Sequence, residues 1–263
     1  MEVNPAVPES TVEYSSWAPL YRRIAEEFAF PFEAEEASAN LLLGLLPREA
    51  LDAPSERLRS RLAGRDAVVV GLAPGIGAPP IGKLAPSGRR AAIVAADGAA
   101  DRCLRGGLVP DVIVTDLDGP VAAEASANAR GALVVVHAHG DNRPQLRTWV
   151  PQFPGSLVGS WAGAPRGGLV NFGGFTDGDR AVYLAEAMGA ERLLLFGFDF
   201  ERVEEIDPME RARKSAKLGW ARKSIDHLAA HSRVPIYLWR ADGAQSPWQL
   251  LNFAEVPSGP STQ

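Results

Sequence analysis

The sequence has a single cysteine, no long apolar run and no excess of basic residues, and each absence excludes a class of protein. One cysteine, Cys103, excludes an internal disulfide and a cysteine-rich metal site. No apolar run approaches the roughly 20 residues that a membrane-spanning helix requires. The N-terminal residues MEVNPAVPESTVEYSSW lack the basic and apolar regions of a signal peptide. We therefore expect a cytoplasmic protein without a membrane partner, in a reducing compartment.

The charge balance argues against a nucleic-acid partner. The 27 Lys and Arg residues are outnumbered by 32 Asp and Glu residues, for a formal net charge of −5 at pH 7. A general nucleic-acid binder usually carries a basic excess. The chain has 263 residues, of which 46% are hydrophobic and 22% charged. That length and composition suit one large globular domain with a helical extension.

From residue 66 onward, short β-branched runs alternate with helical stretches. Such runs are typical of parallel strands that are buried on both faces. The alternation predicts an α/β fold: a Rossmann-like, mostly parallel sheet with helices on both faces, plus an N-terminal helical segment. We divide the chain into an N-terminal helical segment (1–65), an α/β catalytic domain (66–245) and a C-terminal tail (246–263).

The same pattern predicts the individual elements. Strands are expected at 67–71, 91–96, 112–114, 132–136, 155–159, 192–196 and 234–238. Helices are expected at 17–46 with a break at Pro31, and at 52–62, from 99, at 122–129, 179–188 and 209–223. Asp52 is a candidate N-cap, and Pro235 favours an edge position for the last strand. The first 62 residues show no chemistry, so we expect them to cap the core or form a dimer surface.

The stretch VPDVIVTDLDG (109–119) carries the strongest functional signal. Its strand ends in two carboxylates, Asp116 and Asp118, separated by one residue. In open α/β sheets ligands bind at the carboxyl ends of the strands. Mg²⁺ prefers oxygen ligands, usually one or two carboxylates together with phosphate oxygens. The sequence therefore predicts a magnesium site at this strand end.

Two neighbouring strands end in similar residues. Asp97 and Gly98 follow the strand at 91–96, and HAHGDN (137–142) follows the strand at 132–136. A single aspartate often serves only as a loop residue or an N-cap. Three strand ends in register are hard to explain as caps alone. We therefore interpret them as one site.

Three further segments are candidates for phosphate binding: the loop after the first strand, the start of the helix near 179, and the helix 209–223. The loop LAPGIGAPP contains Gly75 and Gly77, whose backbone either approaches a phosphate or only permits a turn. It matches neither a Walker A loop nor a dinucleotide-binding fingerprint.

Asp177 or Asp179 caps the helix near 179, and Arg180 then lies in the first turn of that helix, where the helix dipole disfavours positive charge. This position suggests that Arg180 binds a ligand.

The predicted helix 209–223 is basic. It carries six cationic residues with no acid between them: Arg211, Arg213, Lys214, Lys217, Arg222 and Lys223. A solvated surface helix is the ordinary interpretation, and a lid over a triphosphate is the alternative. Lys214 and Lys217 share one face at i, i+3 and are the candidate phosphate ligands.

The histidines support a rival chemistry. His137 and His139, with Asp116 and Asp141, have ligand types that suit Zn²⁺ or Mn²⁺ in a metal-dependent phosphohydrolase. Residues at i and i+2 of an extended segment point to the same side. The remaining pair, His227 and His231, lies on a predicted helix far away in sequence, and we interpret it as surface or packing residues.

Five ordered motifs resemble one family. ADGA (96–99), PDVIVTDLDG (110–119), VHAHGDN (136–142), FGGFTDGDRA (172–181) and GFDF (197–200) are similar to the archaeal 6-hydroxymethyl-7,8-dihydropterin diphosphokinases, over roughly residues 66–225. That family is related in core fold to thiamin pyrophosphokinase catalytic domains. The Asp-Gly ending of the second motif and the lack of a G-x-R-x-D-H motif argue against thiamin as the substrate.

The resemblance implies transfer of diphosphate from ATP to the hydroxymethyl group of a reduced pterin, releasing AMP, in folate or methanopterin biosynthesis. It implies Mg²⁺ bound by Asp116, Asp118 and Asp141, with Asp97 as a further ligand or a nearby acceptor, and His139 contacting phosphate or helping to deprotonate the pterin. The candidate ATP and phosphate ligands, including those of the glycine loop and the basic helix, are Gly75, Gly77, Asp97, Gly98, Thr176, Asp177, Asp179, Arg180, Lys214 and Lys217. The candidate pterin ligands are Asn142, Phe198 and Asp199. A homodimer is an expectation at the level of the family only.

Two alternatives stay open beside this interpretation. One is the metal-dependent phosphohydrolase, in which water replaces the pterin as nucleophile. The other is a non-catalytic nucleotide-binding module, which would bind ATP without turnover. The number of converging acids disfavours a mere binding module.

Overall fold

The computed structural model describes residues 14–80, 90–239 and 245–248. Their strands form one sheet in the order β5-β4-β3-β2-β1-β6-β7-β8. The strands are β1 (Asp66–Val70), β2 (Ala92–Ala96), β3 (Val112–Thr115), β4 (Leu133–Ala138), β5 (Leu157–Trp161), β6 (Arg192–Phe196), β7 (Ile236–Trp239) and β8 (Gln245–Pro247). Strands β1 to β7 are parallel, and β8 pairs with β7 in the antiparallel sense. The predicted mostly parallel sheet is confirmed.

The helices cover both faces of this sheet. They are α1 (Tyr14–Glu27), α2 (Phe32–Leu45), α3 (Arg48–Leu51), α4 (Pro54–Leu62), α5 (Ala99–Arg105), α6 (Val121–Ala129), α7 (Arg143–Trp149), α8 (Asp177–Ala187) and α9 (Pro208–His231). Helices α1, α4, α8 and α9 pack on one face, and α2, α3, α5, α6 and α7 on the other. Among the described residues, no helix combines the length and apolar character needed to cross a membrane.

Alternation along each strand explains this two-sided core. Val69 and Val94 pack into the hydrophobic cluster beneath α8, whereas Val68 and Ile93 pack into the cluster on the opposite face. Every residue of β1 to β5 is buried. Because both faces are covered, these strands are mostly apolar instead of alternating with polar residues. Their polar residues, Asp66, Thr115, His137 and Ser160, lie at or next to strand ends.

The N-terminal segment differs from the prediction in detail. The break at Pro31 is confirmed, since this residue is the N-cap of α2. The proposed N-cap Asp52 is wrong: it lies at the C-terminal end of α3, and Ala53, in a left-handed conformation, precedes Pro54 at the start of α4. The short helix α3, which the pattern did not predict, shifts the next helix start by two residues.

The other end of the sheet also differs. The strand β7 is not an edge strand, because β8 pairs beside it. Pro235 lies just before β7, and its carbonyl accepts a hydrogen bond from Leu193 at 3.0 Å. Helix α9 continues eight residues beyond the predicted end, and α7 was not predicted. Of the predicted C-terminal tail (246–263), residues 249–263 lie outside the described residues.

Candidate active site

A cavity of about 660 Å³ opens at the carboxyl edge of the sheet. It is lined by the segments that follow β1, β2, β3, β4 and β6, by the start of α8 and by one face of α9. The predicted site residues that line it are Asp97, Asp116, Asp118, His139, Thr176, Asp177, Asp179, Arg180, Phe198, Asp199, Lys214 and Lys217. The fold therefore brings together side chains from all five sequence motifs and from the basic helix.

Three carboxylates form a compact acidic triad in this cavity: Asp97, Asp116 and Asp118. One oxygen from each lies within 4.8 Å of the others. Asp97 ends β2 in a left-handed conformation, with φ of 44°, while its N–H donates to Val114 of β3 at 2.8 Å. Leu117 is buried between the other two acids and also has a positive φ, of 69°. This backbone geometry turns all three carboxylates toward one point.

The triad carries strong mutual repulsion. Burial opposes ionisation of Asp116, but its hydrogen bond with His139 and the nearby Arg180 outweigh burial and lower its pKa to about 2. Burial, followed by the charges of Asp116 and Asp97, raises the pKa of Asp118 to about 6. Burial likewise raises the pKa of Asp97. A cluster of oxygen ligands that repel one another fits a hard divalent cation, which would offset the repulsion.

A fourth acid lies behind the triad and was missed by the sequence reasoning. Glu124 of α6 is fully buried, and burial, together with the charge of Asp97, raises its pKa to about 8. The hydroxyl of Thr115 lies beside Asp97, 3.5 Å from Oδ1 of that carboxylate. Nothing in the sequence of α6 distinguishes this glutamate from a surface residue.

His139 joins the triad to the segment after β4. Its Nε2 lies 3.3 Å from Oδ2 of Asp116, and its Nδ1 lies 2.6 Å from Oδ1 of Asp141. Asp141 does not belong to the compact triad; its carboxylate is 78% exposed and contacts the imidazole instead. The described residues thus place Asp97, rather than Asp141, beside Asp116 and Asp118.

Asn142 and His137 have structural surroundings. The Asn142 side chain is 3% exposed and donates to the carbonyls of Asp116 and His137 at 2.8 Å each, so it ties the ends of β3 and β4 together. It does not line the cavity. His137 is buried, and its Nδ1 lies 3.0 Å from the hydroxyl of Ser160. Burial holds the pKa of His137 well below the usual range. Within the described part of the chain, the compact ligand group contains no histidine, so the predicted two-histidine metal site is not assembled.

The start of α8 supplies a buried cation. Thr176 and Asp179 form a capping box in which the fully buried Asp179 accepts from the Thr176 N–H at 2.7 Å. The N-cap is therefore Thr176 and not Asp177 or Asp179, although Asp179 contributes to the cap as the third residue of the helix. Arg180 lines the cavity and pairs with Asp177 at 3.1 Å, while its Nε is buried without a hydrogen-bond partner among the described residues. Nε is therefore an open donor, and a ligand for Arg180 stays a prediction.

The glycine loop contributes less than predicted. Gly75, Gly77 and Gly98 do not line the cavity, although residues 71–74 do. Gly75 has a φ of 75°, the left-handed conformation that a turn requires. The geometry at these positions therefore matches the alternative interpretation, in which the glycines permit turns.

The segment after β6 and helix α9 close the cationic side of the cavity. Lys214 pairs with Glu205, and the positive charge of Lys217 acts on Asp118. Oδ1 of Asp199 accepts two backbone N–H groups of its own loop, those of Glu201 and Arg202, at 3.0 Å each. Lysines and acids thus face the same space.

The N-terminal helices also reach the cavity, which the sequence pattern did not predict. Tyr21 of α1, Phe30 of the connecting turn and Glu35 of α2 are part of its lining. Glu35 lies among several glutamates in the sequence, and only the packing of α2 against the sheet singles it out. No local pattern would have identified it.

Fold and site together define an α/β protein in which a compact acidic triad and a basic helix line one cavity. The chain matches the family described as "6-hydroxymethylpterin diphosphokinase MptE-like" over residues 47–205. It is 36% identical to the 6-hydroxymethyl-7,8-dihydropterin pyrophosphokinase of Methanothermobacter thermautotrophicus, over 87% of this chain and 100% of the relative. Proteins of the same name from Pyrococcus furiosus and Methanocaldococcus jannaschii are 36% and 34% identical, covering 86% and 82% of this chain and 98% and 96% of the relatives.

The chain therefore belongs to the MptE-like 6-hydroxymethylpterin diphosphokinase family. The resemblance inferred from the five motifs is confirmed, and so is the prediction of a transferase, since the relatives are named pyrophosphokinases. Among solved structures, a glycosyltransferase from Magnetospirillum magneticum AMB-1 matches 70% of this chain and 35% of its own at 18% identity, with a TM-score of 0.42. A similarity this low supports no conclusion.

Proposed function

We propose that the protein transfers the terminal diphosphate of ATP to the hydroxymethyl group of 6-hydroxymethyl-7,8-dihydropterin, giving AMP and the pterin diphosphate. The observation that carries the proposal is the acidic triad opposite Lys217 and Arg180 in one cavity. A metal-type cluster facing cations suits a polyphosphate, whose oxygens bind both. The names of the three relatives point to the same reaction.

In this proposal Asp97, Asp116 and Asp118 hold Mg²⁺. The ion would supply charge neutralisation on the phosphate oxygens. The donor set fits, because it consists of carboxylate oxygens close enough to share one cation. Asp141 takes a different role from the predicted one: its contact with Nδ1 orients the His139 ring.

The cations would hold the phosphates. Arg180 offers an open Nε donor beside the triad, and Lys217 faces Asp118. Lys214 lies one turn before Lys217 on the same face of α9. In this proposal its ammonium group leaves its ion pair with Glu205 and binds phosphate. Charge-assisted hydrogen bonds of this kind are about twice as strong as neutral ones.

The reaction is an in-line displacement. The pterin oxygen bonds to the β-phosphorus, the bond from that phosphorus to the α,β-bridging oxygen breaks, and AMP leaves with the bridging oxygen. Doubly protonated, the His139 ring donates from Nδ1 to Asp141 and from Nε2 to Asp116 or to a phosphate oxygen. To act as a base, the ring keeps its hydrogen on Nδ1, and Nε2 leaves Asp116 and accepts the hydroxyl proton. Both roles place His139 at the reacting group. Holding both substrates in one cavity supplies much of the acceleration.

ATP and a reduced pterin are the partners in this proposal, and Mg²⁺ is the cofactor. The product would serve folate or methanopterin biosynthesis in the cytoplasm. A homodimer stays a prediction.

A product assay tests the proposal. ATP, Mg²⁺ and the pterin are incubated with the protein, and AMP, ADP, phosphate and pterin diphosphate are quantified. We expect AMP only when the pterin is present, and none from Asp116→Ala. Phosphate or pyrophosphate released without the pterin would support the phosphohydrolase instead. ATP binding without any product would support the non-catalytic module.

A further inference from the structure

The carboxylate of Glu35 is the point where the N-terminal helices meet the cavity. The residue is 4% exposed and lines the cavity. Its Oε2 is buried and has no hydrogen-bond partner within the described residues. Leaving a buried acceptor unpaired destabilises the protein, and more so for a charged group. A ligand that offers hydrogen-bond donors would remove this destabilisation.

The surroundings of Glu35 combine aromatic rings with partial charge compensation. A hydrogen bond links the Tyr21 hydroxyl to the carboxyl group, and the Gly140 N–H donates to it. Burial raises the pKa of Glu35, against the opposing charges of His139 and Arg180. Phe30 and Phe175 line the same cavity, with ring centroids 6.2 Å apart.

The other acids of the cavity outside the triad already have partners. Asp199 accepts two backbone N–H groups, and Asp179 is occupied by the capping box. The remaining acids pair with cations: Asp177 with Arg180, Glu204 with Arg202, and Glu205 with Lys214. Oε2 of Glu205 is also unpaired, but that side chain is 29% exposed and pairs with Lys214. Among the described residues that line the cavity, Glu35 is the buried acid outside the triad with an unpaired oxygen, and the Tyr21 ring lies beside it.

We propose that Glu35 selects the pterin by accepting two parallel hydrogen bonds, from ring N3–H and from the 2-amino group. A planar pair of donors matches a carboxylate, as in bidentate pairing, and each carboxylate oxygen has room for a second donor. Phe30 and Phe175 contact the ring. This inference rests on the proposed function and moves the recognition role from Asp199 to Glu35.

The placement agrees with the reaction. The hydroxymethyl group lies at the opposite end of the pterin from the 2-amino group. His139 connects the two ends of the cavity, because its ring contacts Asp116 and its charge acts on Glu35. A pterin held by Glu35 at one end therefore extends past His139 toward the triad.

Two ligands that differ at one position test the inference. The first is 6-hydroxymethyl-7,8-dihydropterin; the second is its 2,4-dioxo analogue, which presents an acceptor in place of the 2-amino donors. Dissociation constants are measured with Mg²⁺ and a non-hydrolysable ATP analogue present. We expect the wild type to prefer the pterin by about 10–100-fold, because the analogue sets a carbonyl against a carboxylate oxygen.

The variant Glu35→Gln should lose or reverse this preference. Its amide offers one acceptor and one donor, which match N3–H and the carbonyl of the analogue. Asp199→Asn is the control and should keep the wild-type preference. Unchanged binding of the ATP analogue shows that each variant is folded. Should Glu35→Gln fail to fold, Glu35→Asp is used, which should keep the preference while binding the pterin about tenfold more weakly.

The outcomes separate this inference from the proposed function. A wild type that forms AMP from the pterin, with a preference unchanged by Glu35→Gln, would overturn only the role of Glu35. So would a preference lost in Asp199→Asn, or Glu35→Asp binding the pterin as tightly as the wild type. A wild type that neither binds the pterin nor forms AMP would overturn both.

Discussion

The carboxylate of Asp97 lies directly against the backbone of Gly119. A Cβ added to Gly119 would sit 2.3 Å from Oδ1 of Asp97, closer than any real contact. The two residues end different segments, one after β2 and the other after β3. Because Gly119 has no side chain, the carboxylate of Asp97 after β2 can approach Asp116 and Asp118 after β3.

Replacing this glycine should displace the triad. We expect Gly119→Ala to lower kcat/KM by about 10²-fold, because small misplacements at a reacting centre have effects of this size. Steady-state AMP formation measures it. Gly219→Ala is the matched control: nothing lies within 4 Å of its added Cβ, and alanine in a helix is favoured by about 0.5–1 kcal/mol. That variant should be slightly more stable and equally active; wild-type activity in Gly119→Ala would contradict the contact.

The metal ligands can be distinguished by comparing two aspartates. Asp97 belongs to the compact triad, whereas Asp141 is largely exposed and contacts His139. We expect Asp97→Asn to weaken Mg²⁺ binding at least about tenfold, and Asp141→Asn to leave it within about twofold. Calorimetric titration with Mg²⁺ measures both. The reverse order would restore the ligand set inferred from the motifs.

The pH dependence of stability should report on Asp118. Its pKa is about 6 in the folded protein against an ordinary value of 3.8. A raised carboxyl pKa means that stability present below about pH 4 is lost as the pH rises through about 6. In metal-free protein, Asp118→Asn should therefore be more stable than the wild type at pH 7.5, and the difference should shrink at pH 4. Denaturant unfolding with a chelator measures this.

Saturating Mg²⁺ should reverse that order at pH 7.5. The ion binds the folded wild type and stabilises it by mass action, whereas Asp118→Asn lacks one ligand. The affinity of Mg²⁺ for the wild type should fall as the pH drops below about 6, because protons compete for Asp118. A stability difference that is independent of both pH and metal would contradict the clustered geometry.

Helix α9 offers a matched pair of cations. Lys217 lines the cavity, and its charge acts on Asp118, whereas Arg213 is exposed and does not line the cavity. We expect Lys217→Ala to weaken binding of an ATP analogue by about 10-fold or more, as for loss of a charged hydrogen bond. Arg213→Ala should have little effect. Equal losses in both variants would indicate a diffuse electrostatic attraction instead of a contact.

The sequence predicted the fold because parallel strands covered on both faces leave a continuous apolar signature. It also located Asp97, Asp116 and Asp118, since each follows a strand and the ends of neighbouring parallel strands meet at one edge. It did not predict which acids converge. That depends on the left-handed backbone at Asp97 and Leu117, which no local pattern of side chains specifies.

Long-range packing explains the other differences. Glu35 reaches the cavity only because α2 packs beside β4, about a hundred positions along the chain from its neighbour Gly140. Asn142 had the right chemistry for a ligand, yet its amide is used up by backbone groups of two strand ends. Hydrogen-bond partners of this kind become visible only in the folded chain.

The central claim is that the diphosphate moves intact from ATP to the pterin. It is tested most directly with ATP labelled separately at its β- and γ-phosphorus, in a single turnover with the pterin and Mg²⁺. We predict that both labels appear in equal amounts in the pterin product, and that unlabelled AMP is released. Recovery of only the γ label in the pterin product, or of either label as free phosphate, would contradict the account.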